Sequence, residues 1–496
     1  MVQQPDPSLI NEDIRPTTEA ERHWSTWDMA SLWIGMVVCV PTYMLAGGLI
    51  GQGMSAWQAI FTVALGNIIV LVPMILNGHP GAKYGIPFPV LARAAFGIHG
   101  AHVPSLVRAA IACGWFGIQT WVGGSAIYQL VDAIPGVELA GADLPILGIN
   151  PAELVCFLSF WGIQVYIIYK GVESIRLLER FAAPVLIVAG LALLGWAWMA
   201  AGSLGQMMAS PSQFGPGGAR EGQFWSVFFP SLTAMVGFWA TLSLNIPDFT
   251  RYSVSQRAQV LGQALGLPTT MTLFSFIGVA VTSATPLIFR DPVTGALGDP
   301  IWDPTLLLGK LGGGVSVLIS LFALSIATLS TNIAANVVSP ANALINAAPQ
   351  RVTFRLGGYV TALIGMLMMP WKLVEDPNGY IFIWLVGVSA LLGPVGGILV
   401  ADYYVLRRRI LDLDGLYRFN GPYWYRGGFN SAALLAFVLA VLPSLPGFLQ
   451  TAKLVDAIPE VFSLIYQQAW LVGFALAGVL YLIFMKVMHP SQSSAE

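Results

Sequence analysis

Apolar runs of about 20 residues recur along most of this chain, and each is long enough to cross the roughly 30 Å hydrocarbon core of a bilayer. Of the 496 residues, 56% are hydrophobic and only 10% are charged, whereas soluble domains carry roughly 25% charged residues. A water-soluble surface cannot be built from this composition. The sequence therefore predicts an all-α integral membrane protein that works within the lipid bilayer and does not bind nucleic acid.

Glycine, proline and charged residues divide the apolar runs into about twelve predicted transmembrane helices. The predicted spans are 29–53, 57–77, 104–133, 151–170, 176–201, 224–247, 258–286, 313–338, 355–372, 378–405, 430–449 and 465–486. The longest polar stretches between them are loops, so no soluble domain is expected.

Basic residues fall mainly on one side of this layout, and the positive-inside rule played no part in placing the spans. If the N-terminus lies inside, the outer side keeps five of the 23 lysines and arginines, namely Arg220, Arg290, Lys310, Lys372 and Lys453. Cytoplasmic loops are enriched in such residues. The N-terminal stretch also lacks the features of a secretory signal. We therefore expect a multi-pass protein of the inner (plasma) membrane with both termini in the cytoplasm.

Two predicted spans carry glycine and proline in their interior. The first contains Gly35 and Pro41, and the sixth, five spans later, contains Gly237 and Pro247. In secondary transporters such matched interruptions mark broken helices of an inverted repeat, whose freed backbone groups bind ion and substrate near mid-membrane. The alternative is that these prolines kink the helices without any function.

The centres of the predicted spans contain no Asp, Glu, His, Lys or Arg. Proton relays and sites for charged substrates usually require an ionisable group inside the membrane. A neutral substrate, transported with a metal cation that is held by carbonyl and hydroxyl oxygens, fits this pattern better. Sodium is the natural candidate, and proton coupling through water or the bound substrate is the alternative.

Aromatic and amide side chains in the third and sixth spans suit a flat heterocycle. Trp115 and Gln119 are four residues apart and therefore share one helix face, where stacking would hold a ring while the amide offers a donor and an acceptor. Phe238 and Trp239 follow Gly237 at the suspected break and would form a second aromatic wall. Ordinary helix packing is the competing interpretation of the Trp115 and Gln119 pair.

The eighth span offers oxygen ligands for a cation. Ala327, Ser330 and Thr331 lie at i, i+3 and i+4 and so share one face. Alternatively, the hydroxyls bond back to their own helix. Asn336 follows five residues after Thr331, which on a regular helix turns it about 140° away, so geometry alone does not place it in the same site.

Other classes of membrane protein find little support. Cys39, Cys113 and Cys156 lie in apolar runs without metal-binding spacing, and the five histidines lie at loops or span ends. A membrane-embedded enzyme acting on a lipid would need acidic metal motifs or a catalytic His/Ser set, and a channel would need repeated polar rings. We expect a transporter that is not an enzyme and that functions as a monomer.

The sequence resembles the bacterial nucleobase:cation symporter family, which includes hydantoin, allantoin, uracil and cytosine permeases. The segments that carry the resemblance are V-P-T-Y-M-L-A-G-G at 40–48, H-P-G-A-K-Y-G-I-P-F-P-V-L-A-R-A-A-F-G at 79–97, G-W-F-G-I-Q-T-W at 114–121, N-I-P-D-F-T-R-Y at 245–252 and S-T-N-I-A-A-N at 330–336. With the twelve-span layout, the resemblance covers nearly the whole chain.

The resemblance implies the leucine-transporter fold with 5+5 inverted repeats and broken helices 1 and 6. The corresponding segments are a tail (1–28), the first repeat (29–201), the second repeat (224–405), two peripheral spans (430–486) and a C-terminal tail (487–496). The implied activity is alternating-access import of a neutral nitrogen heterocycle with a ureide or lactam edge.

The resemblance also implies roles for individual residues. Trp115 and Trp239 would stack on the substrate ring, with Gln119 and Asn336 bonding its polar edge. Cys39 would line the site where the hydantoin transporter has a glutamine. Sodium would be held by the carbonyls of Gly35, Val38 and Ala327 and by the hydroxyls of Ser330 and Thr331.

Overall fold

The structure is a computed structural model of the chain. It describes residues 5–132, 134, 136–137, 139, 141–170, 172–310, 324–325, 328–329, 331–333, 335–375 and 378–489, and for 172–183 it describes the backbone only. The described residues form helices, turns and two isolated β-bridges.

We number nineteen helices in chain order, leaving out the short 3-10 turns at Glu19–Glu21, Pro370–Lys372 and Gly415–Tyr417 and the partly described eighth span. They are α1 (Thr26–Val37), α2 (Val40–Gly51), α3 (Ala56–Tyr84), α4 (Phe88–Phe96), α5 (His102–Asp132), α6 (Pro151–Lys170), α7 (Val172–Ala201), α8 (Leu204–Met208), α9 (Phe224–Phe238), α10 (Ala240–Asn245), α11 (Pro247–Thr250), α12 (Gln256–Ile288), α13 (Pro304–Lys310), α14 (Val338–Ala347), α15 (Phe354–Leu367), α16 (Gly379–Leu406), α17 (Ser431–Thr451), α18 (Glu460–Gln467) and α19 (Ala469–Met488).

The long helices match the predicted spans. Within the described part of the chain, seven helices are long and apolar enough to cross a membrane, and α1 with α2 makes an eighth if the bent pair is one span. Helix α5 covers the predicted third span, α9 to α11 the sixth, and α15 the ninth. The predicted eighth span, 313–338, lies mostly outside the described residues.

Several helix starts follow directly from local sequence. The Ser25 and Ser55 hydroxyls cap α1 and α3, and the side chains of Asp28 and Gln58 bond back to the caps. Each of these capping boxes satisfies two amide groups that the first turn of a helix leaves free. They explain why α1 and α3 begin where they do.

Helix α3 extends further than predicted, to Tyr84 instead of residue 77, and the predicted loop 78–103 contains the additional helix α4. Pro80 inside α3 is accommodated, and the helix ends at Gly85 with φ of 73°. His79 therefore lies within a helix, where Nδ1 bonds the Tyr403 hydroxyl at 2.9 Å. The expectation that every histidine lies at a loop or span end is wrong at this position, because tertiary contacts stabilise the extra turns.

The segments predicted to share the cytoplasmic side contact one another. The Asp6 amide donates to the Tyr417 carbonyl at 2.9 Å, and the Thr17 hydroxyl donates to the Arg251 carbonyl at 2.7 Å. Arg93 of α4 donates to the Leu9 carbonyl at 3.1 Å. The N-terminal segment, α4 and the loop at 407–428 therefore form one layer over one end of the helix bundle.

A buried ion pair ends α16 beneath this layer. Arg407 Nε lies 2.7 Å from Asp402 Oδ2, and the Tyr481 hydroxyl of α19 donates to Asp402 Oδ1 at 2.7 Å. Arg407 Nη2 also donates to the Ala94 carbonyl at 2.8 Å. Because both charges are paired and hydrogen-bonded, the pair can lie in an apolar surrounding, and it joins α16, α19 and α4.

Close packing of α16 on α19 gives a test of the fold. A Cβ at Gly397 would collide with the Phe474 backbone carbonyl, whereas a Cβ at Gly162 on α6 would meet no atom within 4 Å. We expect Gly397→Ala to lower stability by about 1–3 kcal/mol through overpacking. Thermal unfolding of the purified protein measures this. Gly162→Ala is the matched control and should leave the melting temperature unchanged or raise it, and equal melting temperatures for the two variants would contradict this packing.

Candidate functional site

The first predicted span is broken at Val38 and Cys39. Helices α1 and α2 meet there at a bend of 60°. Val38 has φ −75° and ψ 82°, Cys39 is extended, and Pro41 lies in the first turn of α2. Proline cannot donate a backbone hydrogen bond, so the sequence favours a new helix start at this point over a continuous helix.

The break frees backbone carbonyls, among them those of Gly35 and Val38. In a regular helix the carbonyl of residue i accepts from the amide of residue i+4. Here the Cys39 amide donates to Val37 at 2.9 Å instead of to Gly35, and the Thr42 amide donates to Cys39 at 3.2 Å instead of to Val38. The carbonyls of Gly35 and Val38 therefore lack their helical donors. Both were predicted to bind sodium, together with the carbonyl of Ala327.

The sixth predicted span is also interrupted. Helix α9 ends at Phe238, Trp239 has non-helical angles of φ −103° and ψ 5°, and α10 starts at Ala240. Gly237 lies so close to α16 that a Cβ there would meet the Leu385 carbonyl. Glycine is therefore needed at this position for contact between the broken span and α16.

Aromatic side chains from three spans meet between the two breaks. The Trp115 ring lies 5.1 Å from Phe238, 6.2 Å from Tyr380 and 5.9 Å from Trp384, each edge to face. Phe238 in turn lies 5.0 Å from Trp239. We call these five residues the aromatic cluster. The structure thus brings together Trp115, Phe238 and Trp239 as predicted from sequence.

The aromatic cluster also contacts both parts of the first span. Trp239 lies 5.2 Å from Trp33 of α1, and the Tyr380 hydroxyl donates to the Pro41 carbonyl of α2 at 3.2 Å. Trp302 stacks on Tyr380 at 6.3 Å. Cys39 is buried at the break, with Sγ 3.3 Å from the Thr42 hydroxyl. The two broken helices and the aromatic cluster therefore form one site.

Polar atoms of the site lack partners. Trp115 Nε1, Gln119 Oε1 and Trp239 Nε1 are buried and make no hydrogen bond within the described part of the chain. Leaving such a group unsatisfied costs about 1–3 kcal/mol. Trp384 Nε1 of the aromatic cluster is likewise buried and without a partner in that part of the chain, and these four polar atoms indicate a surface arranged for a polar ring.

The eighth-span residues are only partly described. Ala327 and Ser330 lie outside the described residues. Thr331 and Asn336 are both buried, and Asn336 Nδ2 donates to Asn332 Oδ1 at 2.9 Å. The structure shows no direct contact from Asn336 to the aromatic cluster, so its place in the site stays a prediction.

Sequence reasoning missed Tyr380, Trp384, Trp33 and Asn332. Tyr380 and Trp384 are four residues apart at the start of the tenth span, which is the same spacing that marked Trp115 and Gln119. That spacing could have indicated them. No spacing pattern in the sequence indicated Trp33 or Asn332, because their roles depend on contacts with residues of other helices.

Comparison with known proteins agrees with this geometry. A family described as "permease for cytosine/purines, uracil, thiamine, allantoin" matches residues 16–473. The purine-uracil permease NCS1 of Arabidopsis thaliana is 46% identical over 99% of this chain and 80% of its own length. The allantoin permease of Bacillus subtilis is 39% identical over 100% of this chain and 96% of its own length.

Two solved structures of Mhp1, a nucleobase-cation-symport-1 family transporter, have the same fold as this chain. The inward-facing form aligns with a TM-score of 0.78 and 28% identity over 98% of this chain and 96% of that one. The closed form with bromovinylhydantoin bound aligns with a TM-score of 0.75 and 28% identity over 98% and 97%.

The fold and the paired helix breaks define a multi-pass secondary transporter, not an enzyme. Its architecture is the twelve-helix leucine-transporter fold with two five-helix repeats. The chain belongs to the nucleobase:cation symporter family.

Tyr380 gives a test of how the site is assembled. Tyr380→Phe keeps the ring that contacts Trp115 but removes the hydroxyl bonded to Pro41, so we expect a loss of stability of about 1 kcal/mol. Tyr380→Ala also removes the ring and should cost at least about 3 kcal/mol. Melting temperatures of the purified variants measure both changes. Equal effects of the two substitutions would show that the ring is not packed as described.

Proposed function

We propose that the protein imports a neutral nitrogen heterocycle of the nucleobase, hydantoin or allantoin class together with sodium, by alternating access. The observation that carries this proposal is the set of unpartnered buried atoms on Trp115, Gln119 and Trp239, beside the bend in the first span and the interruption in the sixth. The indole N–H groups can donate to ring carbonyls, and the amide of Gln119 can pair with a ureide or lactam edge. An aromatic wall supplies the apolar contact that a flat ring requires.

Relatives support this substrate class. The similar proteins carry the names purine-uracil permease, allantoin permease and hydantoin permease. Uracil, allantoin and hydantoin each have a compact ring with N–H donors and carbonyl acceptors. We propose that Trp115 and Trp239 contact the ring, that Phe238 and Cys39 line the site, and that Gln119 and Asn336 bond the polar edge.

The proposed sodium site uses the freed carbonyls of the first break. The Gly35 and Val38 carbonyls lack their helical donors, and neutral oxygens of this kind are the ligands that sodium takes in transporters. The Thr331 hydroxyl would join them, with Ser330 and the Ala327 carbonyl beside it in the eighth span. Sodium at this position would hold the first span against the eighth.

The proposed setting is the inner (plasma) membrane, with the protein acting as a monomer and with both termini in the cytoplasm. The layer formed by the N-terminal segment, α4 and the 407–428 loop contains Arg93 and Arg407, and Arg251 donates to its Asp13 carbonyl. Basic residues gathered at one end of the bundle favour the cytoplasmic side. The layer is accordingly the inner end of the bundle.

Proton coupling is the second candidate, and Asp303 is the observation that favours it. This residue lies just before α13, beside Trp302 of the site, and accepts from the Thr305 amide and hydroxyl at 2.7 Å each. Burial raises the pKa of the Asp303 carboxyl above its ordinary value despite these two hydrogen bonds. It would therefore take up a proton at a higher pH than an exposed aspartate.

The ring site predicts a clear mutational result. Trp115→Ala removes the ring contact and Gln119→Leu removes the amide at nearly constant volume, so each should weaken ligand affinity at least about tenfold. Binding of uracil, allantoin and hydantoin to folded protein in sodium measures this. Trp225→Ala, at a tryptophan that is 61% exposed on the bundle surface, is the control and should bind normally. Poor folding with intact affinity in the surviving protein would favour a packing role instead.

The cation site predicts reciprocal coupling. Sodium should tighten substrate binding, and substrate should tighten sodium binding by the same factor. Ser330→Ala with Thr331→Val removes two neutral oxygen ligands, so substrate affinity should become weaker and independent of sodium. Affinity titrated against sodium at constant ionic strength with choline as replacement is the measurement.

Hydroxyls that bond only to their own helix provide the control for this titration. Ser159 donates to Val155 and Thr272 to Pro268, so Ser159→Ala with Thr272→Val should keep the sodium dependence. The proton-coupled candidate would be established by two results together. Wild-type substrate affinity would be independent of sodium and vary with pH, and the Asp303→Asn variant would lose this variation with pH.

A further inference from the structure

A buried hydrogen-bond network lies behind the ring site, where α5, α6 and the eighth span meet. Thr120, Gln164 and Asn332 have no exposed surface. None of them was predicted to bind substrate or ion. Because each hydrogen bond needs a donor and an acceptor, the network fixes the positions of the nitrogen and the oxygen of each side-chain amide.

The direction is set by the carbonyl oxygen of Phe116, which can only accept. The Thr120 hydroxyl donates its proton to it at 2.6 Å, and Asn332 Nδ2 donates to it at 2.9 Å. The nitrogen of the Asn332 amide must therefore face α5. Rotating that amide would bring two oxygens together.

Hydrogen bonds also fix the orientation of the Gln164 amide. Since the Thr120 hydroxyl has given its proton to Phe116, its oxygen accepts from Gln164 Nε2 at 2.8 Å. Gln164 Oε1 is then left to accept from Asn332 Nδ2 at 2.7 Å. Both protons of the Asn332 amide are committed, one to Phe116 and one to Gln164.

The last member of the chain is Asn336. With its nitrogen committed, Asn332 offers only Oδ1 to its neighbour, and Asn336 Nδ2 donates to it at 2.9 Å. Asn336 Oδ1 accepts no hydrogen bond within the described part of the chain. The network thus leaves Asn336 with a free acceptor and prevents its amide from turning.

The depth of Asn336 follows from two contacts along α5. Asn332 reaches Phe116, whereas Asn346 of α14 reaches His102 Nδ1 at 3.3 Å. The segment from 332 to 346 therefore runs antiparallel to α5. Asn336 lies about one turn from Asn332 toward the His102 end, at the level of the turn that contains Trp115.

We propose that Asn332 is a positioning residue, which fixes Asn336 as a hydrogen-bond acceptor and thereby selects substrates that present a ring N–H. This inference rests on the proposed heterocycle transport. Gln119 belongs to no such network and can offer either end of its amide. Asn336 is therefore the residue that decides which edge of the ring is accepted.

The selected substrate class is the imide or ureide, in which a ring N–H lies next to carbonyl groups, as in uracil and allantoin. An aminopyrimidine such as cytosine presents an unprotonated ring nitrogen at the corresponding edge. That nitrogen would face Asn336 Oδ1, so two acceptors would meet without a proton between them. A site built around a fixed acceptor rejects such a ligand strongly.

The test compares the affinities of uracil, allantoin, 3-methyluracil and cytosine in saturating sodium. We expect the wild type to prefer uracil or allantoin over cytosine and 3-methyluracil by at least about tenfold. Asn332→Ala frees the Asn336 amide to rotate, so the preference over cytosine should fall about tenfold. Asn67→Ala is the matched control, because Asn67 is also fully buried but donates to Val63 within its own helix, and the preference should persist.

If Asn332→Ala does not fold, Gln164→Leu is the second variant that tests the proposal. It removes the acceptor of one Asn332 proton, and the preference should fall in the same direction. Wild-type protein that binds cytosine as tightly as uracil and allantoin, or an unchanged preference in folded Asn332→Ala and Gln164→Leu, would overturn the positioning role and leave heterocycle transport standing. Wild-type protein that binds none of these ligands in sodium would overturn both proposals.

Discussion

Backbone hydrogen bonding in lipid is the constraint on which this structure depends. A spanning helix must satisfy every amide and carbonyl internally, because the hydrocarbon offers no partner. The first span violates this rule at Gly35 and Val38, whose carbonyls lose their donors to the bend at Cys39. Such groups are tolerated only when they are buried in protein or line a polar cavity. The surrounding bundle therefore encloses the break, and the freed carbonyls become available to a cation.

The aromatic cluster connects the two broken spans through direct side-chain contacts. Trp239 of the sixth span touches Trp33 of the first, and Tyr380 of the tenth bonds Pro41 beyond the first break. A ring bound against these residues would bear on both broken helices at once. A cation at the first break would act on the same elements, which is the physical basis for coupling between the proposed ion and substrate sites.

The sequence predicted features that lie within a single helix better than features that depend on contacts between helices. Hydropathy predicted the number of spans, and Gly35, Pro41 and Gly237 predicted the two breaks. The spacing of four residues predicted that Trp115 and Gln119 share one helix face. Contacts between helices decided the rest. Helix α3 continues past residue 77, where the Gly78 and His79 carbonyls accept hydrogen bonds from Thr250 and Gln256. Geometry on a regular helix placed Asn336 away from Thr331, and its orientation emerged only from the Asn332 network. No single-sequence periodicity encodes such a contact.

Uptake into proteoliposomes under defined ion gradients tests the central claim most directly. Purified protein would be reconstituted with equal pH and potassium on both sides, and accumulation of labelled uracil or allantoin would be followed with and without an inward sodium gradient. We expect accumulation above the external concentration only with the sodium gradient, and loss of that accumulation when sodium is equalised. Accumulation that ignores sodium and follows an imposed pH gradient, or mere equilibration under every gradient, would contradict it.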